Sequence, residues 1–292
     1  MHMTIVFTRG IPKWIIIPKW LKLTLDLVLS SCGRNPWRGG MKDYTVVFSV
    51  GFVLVLAIIG VMYLLRKRIP APLTEQQQNT LLGPFSFIAT LYAFLLGFVV
   101  VTLWHNFNDA AHTATREAET VAVLYRLSDG LPGGDAIQST LLDYARSVRE
   151  DEWPEMANGR ISDKTEAIWG RLWREGQTLA PKTMGEQALY SEFVHQLAEL
   201  SGYRRDRSLQ ILGNMPDLLW WTLFAGGLLL LIGLYFLSIG STKTQIAVDG
   251  IVIGMLLLML YLAVEFNGPF RGNVRVSPLA FEIIEAKLQH LQ

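Results

Sequence analysis

Four long apolar segments dominate the chain and predict four membrane-spanning helices. The uncharged runs 44–65, 76–104 and 218–242 contain 22, 29 and 25 residues. Each is long enough to cross a hydrocarbon core of about 30 Å as a helix. The fourth run, 250–264, has only 15 uncharged residues and reaches spanning length only by including Glu265. The pattern therefore predicts an all-α membrane protein with four transmembrane helices.

The second span continues beyond the membrane without a break, and one of its faces changes character on the way. At about 100° per residue, one line along this helix carries apolar side chains first and ionisable ones afterwards. The residues on or beside this line are Phe87, Phe94, Phe98, Val101, His105, Asp109, His112, Arg116 and Glu119. Neither lipid nor a packed interior suits both halves, so the face predicts a hydrophobic constriction that opens into an aqueous vestibule.

Spacing alone does not decide what this face does. Aromatic residues such as Phe94 and Phe98 at helical intervals are more typical of helix–helix packing. The unbroken phase into the ionisable half is what favours a pore-lining face. Gly97 lies off the line, where a small residue allows a neighbouring helix to approach closely.

The segment between spans two and three predicts a helical domain outside the membrane. Stretches 141–153, 164–179 and 184–212 repeat apolar residues at three- and four-residue intervals. Gly83–Pro84 is expected to begin span two, because proline fits the first turn of a helix. The predicted parts are an N-terminal extension over 1–43, spans one and two over 44–104, the helical cytoplasmic domain over 105–216, spans three and four over 217–266, and a tail over 267–292.

The N-terminal extension has two interpretations. Leu29–Cys32 resembles a bacterial lipoprotein cleavage box, which would place Cys32 outside the inner membrane. Asp26 interrupts the short apolar stretch before it, and Met41–Asp43 resembles an ordinary translation start. We favour a dispensable extension and keep the signal as the alternative.

Basic residues give a divided answer on membrane orientation. With both termini and the central domain in the cytoplasm of a bacterial cell, seven basic residues lie inside and four outside. The inner set is Lys42, Arg116, Arg204, Arg205, Arg207, Arg271 and Arg275, and the outer set is Arg66, Lys67, Arg68 and Lys243. This orientation is expected, and the opposite one stays open.

Composition and motifs exclude several classes of protein. Residues 105–215 carry 17 acidic and 12 basic side chains, which argues against nucleic acid as a partner. The single cysteine, Cys32, excludes an intrachain disulfide and a cysteine-based zinc site. HExxH, GxSxG, Walker and GxGxxG motifs are absent from the sequence, so we expect neither an enzyme nor a cofactor.

Three groups of polar residues have competing interpretations. His105, Asp109 and His112 stack three potential metal ligands on one helix face, but a lone helix rarely completes a coordination sphere, so solvated pore-facing residues are expected instead. Arg204, Arg205 and Arg207 are expected to form a basic belt at the membrane interface, with attraction of anions as the alternative.

Glu265 stands apart, because a carboxylate in a span is costly and marks a candidate functional site. The alternatives are a position at the membrane interface or a pair with Arg271. Trp153, Trp169 and Trp173 are expected to be core residues of the central helices.

Two motifs resemble a known family. The run 94–100, Phe-Leu-Leu-Gly-Phe-Val-Val, followed by Trp104, resembles the second-span motif of bestrophin anion channels. More of the chain, from about 44 to 285, resembles the bacterial bestrophin-like membrane proteins. The resembling pieces there are Arg116–Glu119, Leu131–Pro132, Glu152–Pro154 and Pro269–Gly272.

This resemblance implies a homopentamer with span two around the axis and Phe94 and Phe98 as the narrow neck. Thr90 stands one turn earlier, where bestrophins tend to carry an aliphatic residue. The resemblance thus implies a passive channel for inorganic anions such as chloride in a lipid bilayer. No acidic cluster resembles the calcium clasp of animal bestrophins, so calcium gating is not expected.

Two other classes stay open from the sequence. A non-conducting sensor or scaffold would bind a partner through the cytoplasmic helices and would give no ion flux. A proton-driven, stator-type energiser would need a membrane carboxylate, for which Glu265 is the candidate within this chain.

Overall fold

The computed structural model describes residues 41–68, 74–212, 215–237 and 241–290. The chain divides into two compact units, 1–54 and 55–292. The described part of the first unit is the beginning of one helix, residues 41–54. The cleavage-box motif at Leu29–Cys32 lies outside the described residues.

Within the described residues the protein is helical, with short π- and 3₁₀-helical turns and no strand. The α-helices are α1 (Met41–Arg68), α2 (Glu75–Asp129), α3 (Gly134–Ser147), α4 (Trp153–Ala157), α5 (Asp163–Thr178), α6 (Met184–Leu209), α7 (Asp217–Phe236), α8 (Thr242–Phe266) and α9 (Leu279–Gln289). Helices α1, α2, α7 and α8 are long and apolar enough to cross a membrane, which confirms the predicted fold class.

Helix α2 begins earlier than Gly83–Pro84, so the predicted start of span two is wrong. A capping box starts the helix: Gln77 donates its backbone N–H to the Thr74 hydroxyl, and the Gln77 side chain accepts from the Thr74 N–H. Pro84 therefore lies inside the helix. Spanning helices tolerate such a proline, since neighbouring groups can satisfy the freed backbone carbonyl. The predicted continuity beyond the membrane is confirmed, because α2 runs for 55 residues.

Two aromatic residues dock α2 against α7. Tyr92 lies over Gly226 and donates its hydroxyl to the Leu223 carbonyl at 2.9 Å. Phe85 lies over Gly233, where any added Cβ would overlap the phenyl ring. Glycines in α7 thus provide the close helix approach that membrane helices favour.

The second half of α2 forms the core of the central domain with α3, α5, α6 and α9. Trp153 and Trp169 are buried in it, and Trp173 packs against it, which confirms the expectation for these three. A π-helical turn over Val148–Glu152 links α3 to α4 and places Glu152 in the interior.

Candidate functional site

One face of α2 is exposed along its whole predicted line. This face comprises Phe87, Thr90, Phe94, Phe98, Val101, His105, Asp109, His112, Arg116 and Glu119, and every member is exposed in the single chain. From first to last it extends for about 48 Å at 1.5 Å per residue. We call these ten residues the α2 stripe.

The other side of α2 is held by packing along its length. Tyr92, Leu96, Val99 and Leu103 are buried in a cluster shared with α7 and α8. Further along, α2 buries Ala110, Ala114, Ala118 and Val121 in the domain core. One side of α2 is therefore covered by packing, and no described segment of the chain covers the α2 stripe.

The aromatic half of the stripe is unusually open for such large apolar side chains. Phe94 is 77% exposed and Phe98 is 65% exposed. Gly97 between them has nothing within 4 Å of an added Cβ. No described helix makes the close approach expected at Gly97, whereas Gly226 and Gly233 of α7 allow such an approach to α2.

The ionisable half carries exposed side chains that do not gather. Within the described residues, no three His, Cys, Asp or Glu side chains are grouped closely enough to hold a metal ion. His105, Asp109 and His112 share a face but do not form a coordination group. All three side chains are exposed in the single chain.

A buried ionic cluster lies behind the ionisable half of the stripe. Glu117 of α2 and Arg207 of α6 are both fully buried and form a two-point ion pair. In its second contact, Arg207 Nη2 donates to Glu117 Oε1 at 2.9 Å. Tyr144 of α3 donates its hydroxyl to the same carboxylate oxygen. This cluster ties α2 to α3 and α6.

A second carboxylate completes the cluster. Glu152, also fully buried, lies 3.1 Å from Arg207 Nη1 and 3.6 Å from Arg204 Nη2, as ion pairs without an aligned hydrogen bond. Arg204 also bonds Glu166 at 2.8 Å. The Arg207 guanidinium lies over the Trp153 ring, at 5.4 Å from its centroid.

The cluster shifts the pKa values of Tyr144 and Arg207. Burial raises the pKa of Tyr144 well above its ordinary value, and the charge of Glu117 raises it further, so the hydroxyl remains a donor. Burial alone would lower the pKa of Arg207, but Glu117 and Glu152 outweigh it and raise that pKa. Arg207 is therefore a permanent buried cation.

The expected basic belt at Arg204, Arg205 and Arg207 is wrong for two of its three members. Only Arg205 is exposed, while Arg204 and Arg207 point into the domain. Sequence reasoning gave Glu117 and Glu152 no role beyond the motifs that carry the family resemblance, and it did not single out Tyr144. Helical spacing could have identified Arg204 and Arg207 as buried. They continue a series of buried positions on α6 that recur every three or four residues: Phe193, Leu197, Leu200, Arg204 and Arg207.

Glu265 is buried at the end of α8, where it binds backbone. Its Oε2 accepts the N–H groups of Asn273 at 2.9 Å and Val274 at 3.1 Å. Gly272 precedes them with φ +75°, and an added Cβ there would lie 2.6 Å from Glu265 Oε2. These contacts favour a carboxylate that shapes the turn after α8, rather than a pair with Arg271.

A second acidic residue of α8, Asp249, is bound by a residue of another helix. Asp249 is buried and bonds Arg66 of α1 at 2.7 Å. Gln245 donates to its other oxygen at 2.9 Å, and Arg66 also donates to the Leu234 carbonyl. Arg66 is therefore a link between α1, α7 and α8, which weakens its value as an orientation signal.

The fold of this chain is similar to that of solved membrane proteins. A bacterial bestrophin homologue from Klebsiella pneumoniae superposes with a TM-score of 0.59 at 17% identity, covering 84% of this chain and 98% of that chain. A variant of a crystallised membrane protein superposes with a TM-score of 0.60 at 18% identity, covering 84% and 98%. These likenesses establish the fold. No curated protein matches.

The sequence of the chain also matches a family model. A profile of the Bestrophin-like domain matches residues 52–281, which include all four apolar helices except the beginning of α1. The match contains the α2 stripe, the buried ionic cluster and Glu265. On this match the chain belongs to the Bestrophin-like family.

Proposed function

We propose that this chain is the subunit of a homo-oligomeric ion channel whose pore is lined by α2. The observation that carries the proposal is the α2 stripe, exposed over about 48 Å and changing from apolar to ionisable along one helix. Membership of the Bestrophin-like family supports an ion channel as the kind of function.

Phe94 and Phe98 would form the neck of this pore. A narrow apolar ring excludes water and so impedes ions until it widens, which is a gate by dewetting. The edges of aromatic rings are electropositive and tolerate a partly dehydrated anion. For this reason, and because Arg116 is exposed further along the stripe, anions such as chloride are the proposed permeant ions.

Repetition around an axis would give the stripe its missing partner. Large apolar side chains such as Phe94 are costly to expose to water, and a second copy of α2 would shield their flanks. The space beside Gly97 allows helices of neighbouring copies to approach. We propose the pentamer that the family resemblance implies.

Reconstitution of the full chain into liposomes tests the channel directly. We expect chloride flux and a reversal potential that follows the chloride gradient, since the proposed neck favours anions. Protein-free liposomes, and liposomes with the chain heat-denatured before reconstitution, provide the background. The channel proposal is contradicted if the assembled protein gives no ion flux above that background, and the anion proposal if the current follows the cation gradient.

We propose the bacterial inner membrane as the location, with the central domain in the cytoplasm. Met184 at the start of α6 is 87% exposed and suits a topology label. In a Cys32→Ser background, a Met184→Cys variant is expected to resist a membrane-impermeant thiol reagent in intact spheroplasts and to react after lysis. Labelling before lysis means the opposite orientation.

A further inference from the structure

Helix α2 carries a charge on its buried side that is paired within the chain, and charges on its exposed side that have no partner within the described residues. On the buried side, Glu117 is paired with Arg207 inside the domain. On the exposed side, Asp109, Arg116 and Glu119 have no ion-pair or hydrogen-bond partner for their side chains within the described part of the chain. Within the α2 stripe, these three fixed charges therefore face the space in front of it, uncompensated by the part of the chain that the structure describes.

The order of these charges along the stripe matters because salt screens them. At physiological ionic strength the Debye length is about 8 Å. Asp109 lies about 16 Å beyond Phe98 along the helix axis, Arg116 about 27 Å and Glu119 about 32 Å. Each charge therefore acts mainly at its own level, and the first fixed charge beyond the aromatic half is negative.

The neighbours of Asp109 do not cancel it. On the stripe, the nearest side chain of opposite charge is Arg116, about 11 Å further along the helix axis. The opposite side of α2 at this level is apolar, with Leu103, Ala110 and Ala114 buried. Among the fixed charges of the α2 stripe, Asp109 is thus the one nearest to the aromatic half.

We infer that Asp109 is a selectivity-determining residue that restrains anions at the vestibule end of the neck. The inference rests on the proposed function, because only repetition of α2 around a pore turns one carboxylate into a ring. Such a ring lowers the local concentration of anions and raises that of cations. Arg116, further from the neck, acts in the opposite direction. The anion preference of the aromatic neck is therefore expected to be partial in the native protein.

The test is the reversal potential of the reconstituted full chain under a salt gradient at alkaline pH. Asp109→Asn is expected to raise the permeability of chloride relative to sodium by at least about threefold, since a ring of charges at one level is removed. Because Asp109 is exposed without a partner, the amide is expected to leave assembly unchanged, which size-exclusion chromatography checks.

Glu119→Gln is the matched control, with the same loss of charge on the same face about 15 Å further from the neck. It is expected to shift the chloride-to-sodium ratio by less than half as much, and Arg116→Gln is expected to shift it the other way. Equal shifts for Asp109→Asn and Glu119→Gln, or none for Asp109→Asn, overturn the inference while the channel proposal survives. Absence of native flux overturns both.

Discussion

Replacing Arg207 with methionine is expected to destabilise the central domain by about 3–5 kcal/mol. The substitution leaves Glu117 and Glu152 buried without the cation that pairs with both. A buried carboxylate without a partner is far more costly than the pair itself is stabilising. Thermal unfolding of the purified full chain, followed by tryptophan fluorescence, measures the loss, since the Arg207 guanidinium lies over the Trp153 ring.

Arg205, two residues before Arg207, provides the control for this substitution. Arg205 is 73% exposed in its side chain, and its partner Asp206 lies 3.8 Å away. Arg205→Met is therefore expected to change stability by less than about 0.5 kcal/mol. If Arg207→Met and Arg205→Met unfold at the same temperature, the cluster does not stabilise the domain.

Removing both partners separates the charge from the packing. Combining Glu117→Leu with Arg207→Met deletes the two-point ion pair, and Arg204 remains beside Glu152. We expect this double variant to unfold at a higher temperature than Arg207→Met alone, because replacing both members of a buried pair is less costly than orphaning one. A double variant that is less stable than the single one would mean that packing around Arg207, rather than its charge, is the main term.

The cluster also bears on the exposed side of α2. Glu117 follows Arg116 directly and precedes Glu119 by two residues, so fixing Glu117 fixes the rotation of the helix at that level. With Glu117 bound to Arg207, Arg116 lies about 100° and Glu119 about 160° around the helix from Glu117, and both are exposed. The domain thereby determines the direction in which Arg116 and Glu119 face.

Most of the fold could be predicted from the sequence because its signals are long and periodic. An uncharged run such as 76–104 has few structures open to it other than a spanning helix. Pro84 misled the prediction for a local reason. It satisfies the rule for a helix start, but the capping box at Thr74 and Gln77 supplies a stronger one ten residues earlier.

The exposed face of α2 could be predicted because it depends on one segment alone, whereas the buried cluster depends on contacts between segments. Helical phase is a property of one segment, so Phe94 and Arg116 could be placed on one line from spacing alone. Glu117, Tyr144 and Arg207 meet only through tertiary packing of α2, α3 and α6, and each resembles a solvated residue in its own segment. The sequence around each of these residues does not indicate which residue it will contact in the folded protein.

Charges near the spans illustrate the same limit. Asp249 and Glu265 shortened the fourth apolar run and made it the weakest of the four predicted spans. In the structure Asp249 forms an ion pair with Arg66 of α1, and Glu265 accepts a hydrogen bond from a backbone N–H group after the helix. A hydropathy pattern cannot anticipate compensation that comes from another segment.

Replacing both Phe94 and Phe98 with alanine is expected to raise the ion conductance of the reconstituted protein several-fold and to weaken its gating. In the proposed pore these rings set the width of an apolar constriction, and a wider constriction is more readily wetted. The two side chains are 77% and 65% exposed in the chain, so truncating them removes few contacts within the subunit. Single-channel recording in planar bilayers measures conductance and open probability.

Phe224 provides the matched control, because it is a comparably exposed phenylalanine on α7 rather than on the α2 stripe. Phe224→Ala removes one phenyl ring, where the double variant removes two, and is expected to leave conductance and gating unchanged, since α7 lies on the buried side of α2. If the double variant behaves like Phe224→Ala while its assembly is intact, then Phe94 and Phe98 do not form the constriction. Their exposure would then be explained by contact with lipid or with another copy away from the pore.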